Sequence, residues 1–138
     1  MTDQKLITVK TTVHASVEKA WRYWTEPEHI TKWNAASEDW NTPFAQNDLR
    51  AGGQFLYRME SKDGKYGFDF VGTYHEIIPH KTISYTLADG REVEISFESE
   101  DDETTIVETF AAESTYSLER QQEGWQAILD HFKRYIEM

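Results

Sequence analysis

The chain of 138 residues is the size of a single domain and can bury roughly two-thirds of its unfolded surface. Asp and Glu number 25 against 14 Lys and Arg, a net charge of −11 that repels phosphate backbones and anionic headgroups, so no nucleic-acid partner is expected. Cysteine is absent, which removes disulfides, thiolate nucleophiles and Cys-based metal sites.

Met1 to Val13 alternates polar and apolar residues and lacks the continuous apolar run of a signal peptide. No stretch approaches the roughly 20 apolar residues of a membrane span, so a soluble, cytoplasmic protein without membrane insertion is expected. Lys5 to Val13 reads as a strand with Ile7, Val9, Thr11 and Val13 on one face. Ser16 caps a short helix whose Val17, Ala20, Trp21 and Trp24 follow the i, i+3, i+4, i+7 template. Thr25-Glu26-Pro27-Glu28 has capping-box spacing, with proline tolerated in the first turn, and predicts a second short helix presenting Ile30 and Trp33 together. Residues 34 to 53 form an ordered excursion anchored by Trp40, Phe44 and Leu49, ending at the Gly52-Gly53 turn.

A meander follows, and turn parity tests its register. A two-residue Asp63-Gly64 turn pairs Met59 with Phe68, Tyr57 with Phe70 and Phe55 with Gly72, so that both apolar faces coincide. A Pro79-His80 connection sets Tyr74 opposite Tyr85 and Gly72 opposite Leu87. Continued past Gly72, the same parity places Glu76 on the inner face opposite Ile83. At Asp89-Gly90 a two-residue turn would bury Glu94. A three-residue Ala88-Asp89-Gly90 loop instead pairs Tyr85 with Val93 and Ile83 with Ile95, and is preferred.

Glu98 to Glu103, five acids in six residues, reads as a solvated hairpin loop. In the next strand either Ile106, Glu108 and Phe110 or Thr105, Val107 and Thr109 face inward, and the pattern leaves both open. From about Ser117 to Ile136 runs one long amphipathic helix with a stripe of Leu118, Trp125, Ile128, Leu129, Phe132 and Ile136. The order is one strand, two short helices, about six antiparallel strands and a long helix. A sheet with one apolar face must cover it, and only the last helix is long enough, so the sheet should curve around that helix.

That order resembles the START-like superfamily of the birch-pollen allergen, whose fold is the helix-grip. More narrowly it resembles the family of the C-terminal domain of the heat-shock-protein-90 ATPase activator. The matching stretches are Val17-Glu18-Lys19-Ala20-Trp21, Trp24-Thr25-Glu26-Pro27-Glu28-His29-Ile30, Trp33, Asp48-Leu49-Arg50-Ala51-Gly52-Gly53-Gln54-Phe55, Asp63-Gly64, Phe68-Asp69-Phe70, Gly72, Tyr74 and Gly124-Trp125. They run through nearly the whole chain. The resemblance implies one α+β helix-grip domain over residues 1–138: a curved antiparallel β-sheet wrapped around a long C-terminal helix, with two short helices after the first strand. Superfamily members bind lipids, hormones or polyketides between sheet and helix, and some are cyclases or hydrolases. The eukaryotic activators carry a separate N-terminal domain that makes much of the chaperone contact, and this chain begins at the helix-grip domain. A small-molecule partner is therefore expected ahead of a chaperone partner, in a monomer or weak dimer.

The aromatic residues then acquire a candidate role. Four of the five tryptophans, Trp21, Trp24, Trp33 and Trp40, fall within twenty residues, and Trp125 stands apart. Phe55, Tyr57, Phe70, Tyr85, Trp125 and Phe132 point into the space between sheet and helix, beside Leu129 of the helix stripe. Gly72 removes volume from the middle of that face. Trp21 and Trp24 are expected to be structural, with Trp33 and Trp40 at the mouth of an apolar pocket. The expected ligand site is thus Trp33, Trp40, Phe55, Tyr57, Phe70, Tyr85, Trp125, Leu129 and Phe132, holding a small hydrophobic, lipid-like or aromatic molecule. If Glu76 and Glu108 both faced the pocket, two carboxylates could divide acid and base roles, the alternative enzymatic reading.

Other chemistry has no motif. The histidines, His14, His29, His75, His80 and His131, include no i, i+4 pair or HExxH, so no metal is expected. No serine sits in a G-x-S-x-G setting and no G-K-[ST] follows a glycine loop, so no catalytic residue and no cofactor are assigned.

Overall fold

The computed structural model describes residues 5–138; Met1 to Gln4, the start of the segment read for a leader, lie outside the described residues. The elements are β1 (Leu6–Val13), α1 (Val17–Thr25), α2 (Pro27–Trp33), β2 (Trp40–Asn47), β3 (Gln54–Ser61), β4 (Gly67–Ile78), β5 (Thr82–Leu87), β6 (Glu92–Glu100), β7 (Glu103–Ala111) and α3 (Leu118–Ile136). The seven strands form one antiparallel sheet in the order β1-β7-β6-β5-β4-β3-β2. Every neighbour from β2 to β7 is a hairpin partner, and α1 and α2 carry the chain from one sheet edge to the other. The curled sheet closes around α3 in the α+β helix-grip arrangement.

Local chemistry accounts for most boundaries. Ser16 accepts a hydrogen bond from the Lys19 N–H at 3.2 Å and starts α1. Ser117 does the same for α3 through Arg120 N–H at 3.1 Å. The capping box expected at Thr25 does not form. Thr25 ends α1 and its hydroxyl donates to the Trp21 carbonyl at 2.8 Å, so Glu26 takes the N-cap position of α2 without a side-chain cap and Pro27 opens the helix. Ile30 and Trp33 are nonetheless both buried, as the spacing requires.

The residues 34–53 contain β2, a strand the sequence pattern hides. Its pairing with β3 shifts between Asn41 and Phe44, on either side of Thr42 and Pro43, which breaks the alternation of apolar residues.

The central registers follow the parity argument. Met59 faces Phe68, Tyr57 faces Phe70 and Phe55 faces Gly72. The connection is longer than two residues, because regular pairing stops at Glu60 and Gly67 and Asp63 Oδ1 gathers Ser61 Oγ at 2.7 Å and Lys65 N–H at 2.9 Å. Tyr74 faces Tyr85, and the three-residue loop pairs Tyr85 with Val93, with Gly90 at φ +92°.

Parity fails at one place. A bulge between Tyr74 and Glu76 puts Ile77, not Glu76, opposite Ile83 and leaves Glu76 exposed. In β7 the open choice resolves to Ile106, Glu108 and Phe110 inward, alongside Thr104. The acidic hairpin is tighter than expected: β6 reaches Glu100, β7 starts at Glu103, and all the acids are exposed. On α3 the buried stripe begins at Gln121, whereas Leu118 is 43% exposed and does not belong to it.

An aromatic cluster joins α1, α2 and the C-terminal half of α3. Trp24, Trp33 and Phe132 lie within 5.1 Å of one another by ring centroid, and Trp21 and Trp24 both meet Phe97 edge-on. His29 stacks on Tyr23 at 3.9 Å and shares a 2.7 Å hydrogen bond with Tyr135, tying α2 to α3. Such fully buried side chains contribute about 1.5–3 kcal/mol each.

Candidate functional site

A cavity of about 430 Å³ lies between the inner face of β3–β7 and the N-terminal half of α3. The size is that of a small-molecule site, roughly 300–1,000 Å³. Its deep wall is aromatic: Trp24 and Trp33 from the two short helices, and Tyr57, Tyr74 and Tyr85 from the sheet, with Phe70 and Trp125 nearer the helix. The exposed lining residues Phe68, Tyr116 and Arg120 mark the mouth.

Of the residues expected to hold a ligand, Trp33, Tyr57, Phe70, Tyr85 and Trp125 line this cavity, and Trp40, Phe55, Leu129 and Phe132 do not. Trp40 sits outside, 6.0 Å from the Phe68 ring. Leu129 and Phe132 are fully buried in the packed end of the helix interface. Phe55 lies over Gly72, where an added Cβ would come within 2.4 Å of its ring. Gly72 therefore makes room for Phe55 and not for a ligand, a glycine covered by an aromatic neighbour. Nor is Trp33 at an entrance: it is 4% exposed, and its indole N–H donates to the Tyr23 carbonyl at 2.9 Å. Trp24, expected to be purely structural, contributes to both core and cavity wall.

The space comes from α3. Gly124 lines the cavity, and a Cβ built there meets nothing within 4 Å. Beside it, buried Gln121 turns away to clamp the preceding loop: its amide donates to the Glu113 and Tyr116 carbonyls and its oxygen accepts from Glu113 N–H. A glycine in an otherwise apolar helix stripe was the available sequence signal. The helical reading passed over it because periodicity counts apolar residues and ignores missing ones.

Most polar groups of the wall have protein partners. Tyr74 donates to Asn47 at 2.7 Å, Asn34 and Thr42 bond each other, Arg91 pairs with Asp89 at 2.7 Å, and Glu113 accepts from Tyr116 N–H at 2.6 Å. Glu108 differs. It is 5% exposed, projects from the middle of β7 between Val9 and Ile95, and engages in no hydrogen bond or ion pair among the described residues. No fully buried side-chain polar atom there is left without a partner, so the Glu108 oxygens open onto the cavity. Burial pushes its carboxyl up to about 8. Burial also raises the phenols of Tyr57 and Tyr85, and the Glu108 charge raises both further. With Glu76 exposed beyond its bulge, the cavity does not bring the two expected carboxylates together.

Elsewhere, Glu26, Glu28 and His29 place one potential ligand atom each within 4.8 Å of one another at the start of α2. His29 there is already engaged with Tyr23 and Tyr135. Among the described residues no helix is long and apolar enough to cross a membrane.

Comparison with known proteins places this architecture. The solution structure of an AHSA1-like protein from Aeromonas hydrophila superposes with a TM-score of 0.90 at 43% identity, covering 96% of this chain and 92% of that one. A Cytophaga hutchinsonii protein solved in solution is 53% identical, with a TM-score of 0.83 over 94% of this chain and 90% of its own. The Aha1 dimer from Colwellia psychrerythraea shares the fold at 18% identity, with a TM-score of 0.77 and 97% of each chain covered. None of the curated proteins matches. The family described as Activator of Hsp90 ATPase homolog 1-like protein matches residues 14–137, nearly the whole helix-grip domain, and the chain belongs to that family.

Proposed function

We propose that the chain binds a small, mainly hydrophobic molecule, aromatic or lipid-like, in the cavity between the sheet and α3. The observation that supports this is a cavity of about 430 Å³ walled by aromatic rings and holding one unpartnered carboxyl. An apolar wall with a few convergent polar groups is the ordinary composition of a small-molecule site. Titration with fatty acids, flavonoids and polyketides, followed by amide shifts, tests it. Shifts at Phe70 and Trp125 are the expected result, and a panel that leaves both unmoved overturns the reading.

A second reading, a protein-interaction module acting on a chaperone, rests on the family's description as an activator of an ATPase. Capture of a bacterial homologue of that chaperone with stimulated ATPase activity supports it, and no stimulation counts against it. A monomer or weak dimer in the cytoplasm fits both readings, and the Colwellia psychrerythraea protein, a fold relative, is a dimer.

A further inference from the structure

We propose that the cavity selects an amphipathic amine, with Glu108 receiving the ammonium group and the aromatic wall receiving the apolar body. The inference deepens the binding reading above and rests on it. An unpartnered carboxyl on a central strand, buried among Val9, Ile95 and the tyrosine-lined wall, is costly to keep. A ligand needing only hydrogen-bond donors would not require it, because Tyr57 and Tyr85 already line the same space. What a carboxyl adds to two phenols is negative charge, and the complement of a negative charge in a mainly apolar site is a cation. The walls suit one as well, since tryptophan and tyrosine faces attract ammonium groups, most strongly when water is excluded.

Among the described residues no charged group answers Glu108. Tyr57 on β3 and Tyr85 on β5, whose phenols feel the Glu108 charge, are neutral, and Tyr74 on β4 lines the same cavity with its hydroxyl donated to Asn47. Arg91 before β6 is held by Asp89, Glu113 after β7 accepts from Tyr116 N–H, and Arg120 on α3 lies over the Tyr116 ring at 4.9 Å. The lining residues from α1 and α2, Trp24, Thr25, Trp33 and Asn34, carry no charge. The net charge of −11 draws cations toward the molecule.

Proton accounting sets the sign of the pH dependence. The free carboxyl holds its proton up to about pH 8, so binding an ammonium below that pH releases one proton to solvent. Amine affinity should rise about tenfold per pH unit between about pH 6 and pH 8 and level off above.

The test uses three probes of one shape, phenylbutylamine, phenylbutanol and phenylbutyrate, titrated into the full chain and into Glu108→Gln, followed by amide shifts and calorimetry. The amine is expected to bind at least about tenfold tighter than the alcohol above pH 8, and to lose that advantage over the alcohol in Glu108→Gln. Alcohol and amine binding alike, or an amine insensitive to Glu108→Gln, overturns the cation assignment and leaves the cavity reading standing. So does a preference for phenylbutyrate that strengthens below pH 8. No shift at any cavity residue with all three overturns the cavity reading itself, and this inference with it.

Discussion

Along α3 the two halves of one helix face the same sheet with equally aromatic surroundings. Around its C-terminal half, Leu129, Phe132 and Ile136 are fully buried against Trp24, Trp33 and the short helices. Around its N-terminal half, Trp125 stacks on Phe110 at 3.8 Å, yet a cavity of about 430 Å³ remains beside it. Aromatic density therefore does not separate core from pocket. What separates them is whether the opposing element supplies side chains to fill the gap. The short helices do so at one end, while Gly124 and a Gln121 held by the preceding loop leave the other end open.

The strongest way to break this contrast is to truncate the packed half. Phe132→Ala should cost about 3–5 kcal/mol in urea denaturation, because the surrounding tryptophans cannot collapse into the space. A loss under about 1 kcal/mol would mean that both halves are loosely filled.

Glu108 sharpens the contrast from the hollow side. Its folded value, about 8, lies above the ordinary 4.5, so between these values the unfolded chain gives up a proton that the folded one keeps. The contribution is fully present below about pH 4.5, declines as pH rises through the window and has gone above about 8. At about 1.4 kcal/mol per unit this amounts to a few kcal/mol as an upper bound. Glu108→Gln should remove that slope, making the variant more stable than the parent at pH 8.5 and little different at about pH 4.5. Thermal unfolding at the two pH values reads the difference.

Two glycines mark the smaller effects, and they should respond in opposite directions. Gly72→Ala drives a methyl to within 2.4 Å of the buried Phe55 ring and should cost about 1–3 kcal/mol by denaturant midpoint. Gly124→Ala meets open space in a helix interior and should stabilise by up to about 1 kcal/mol in the same measurement. Destabilisation at Gly124 would show that the cavity side of α3 is under constraint.

The strand registers could be read because alternation has period two, and a turn of the wrong length exposes itself by burying a charge, as at Glu94. The same logic failed where the backbone departed from that period. The bulge after Tyr74 removed Glu76 from the inner face, and the irregularity around Thr42 and Pro43 concealed β2. At the site, parity brought Tyr57, Phe70 and Tyr85 to the cavity wall but also counted Phe55, which Gly72 accommodates instead. Trp33 was placed at a mouth and lies deep, and Trp40 lies outside the cavity, because a loop's path around the sheet is not written in its spacing.

The sequence by itself determined the order of elements, the curved sheet with its covering helix, and the inward set of side chains on each regular strand. These follow from local periodicity, turn chemistry and the need to cover one apolar face. Only the tertiary structure decided where the inward set leaves a gap. That depends on volumes contributed by residues far apart in the chain, such as Phe132 against Trp24, and Gly124, Glu108 and Tyr85 around one cavity. That Glu108 meets no partner among the described residues was decided the same way, by what the neighbouring strands and α3 bring toward it.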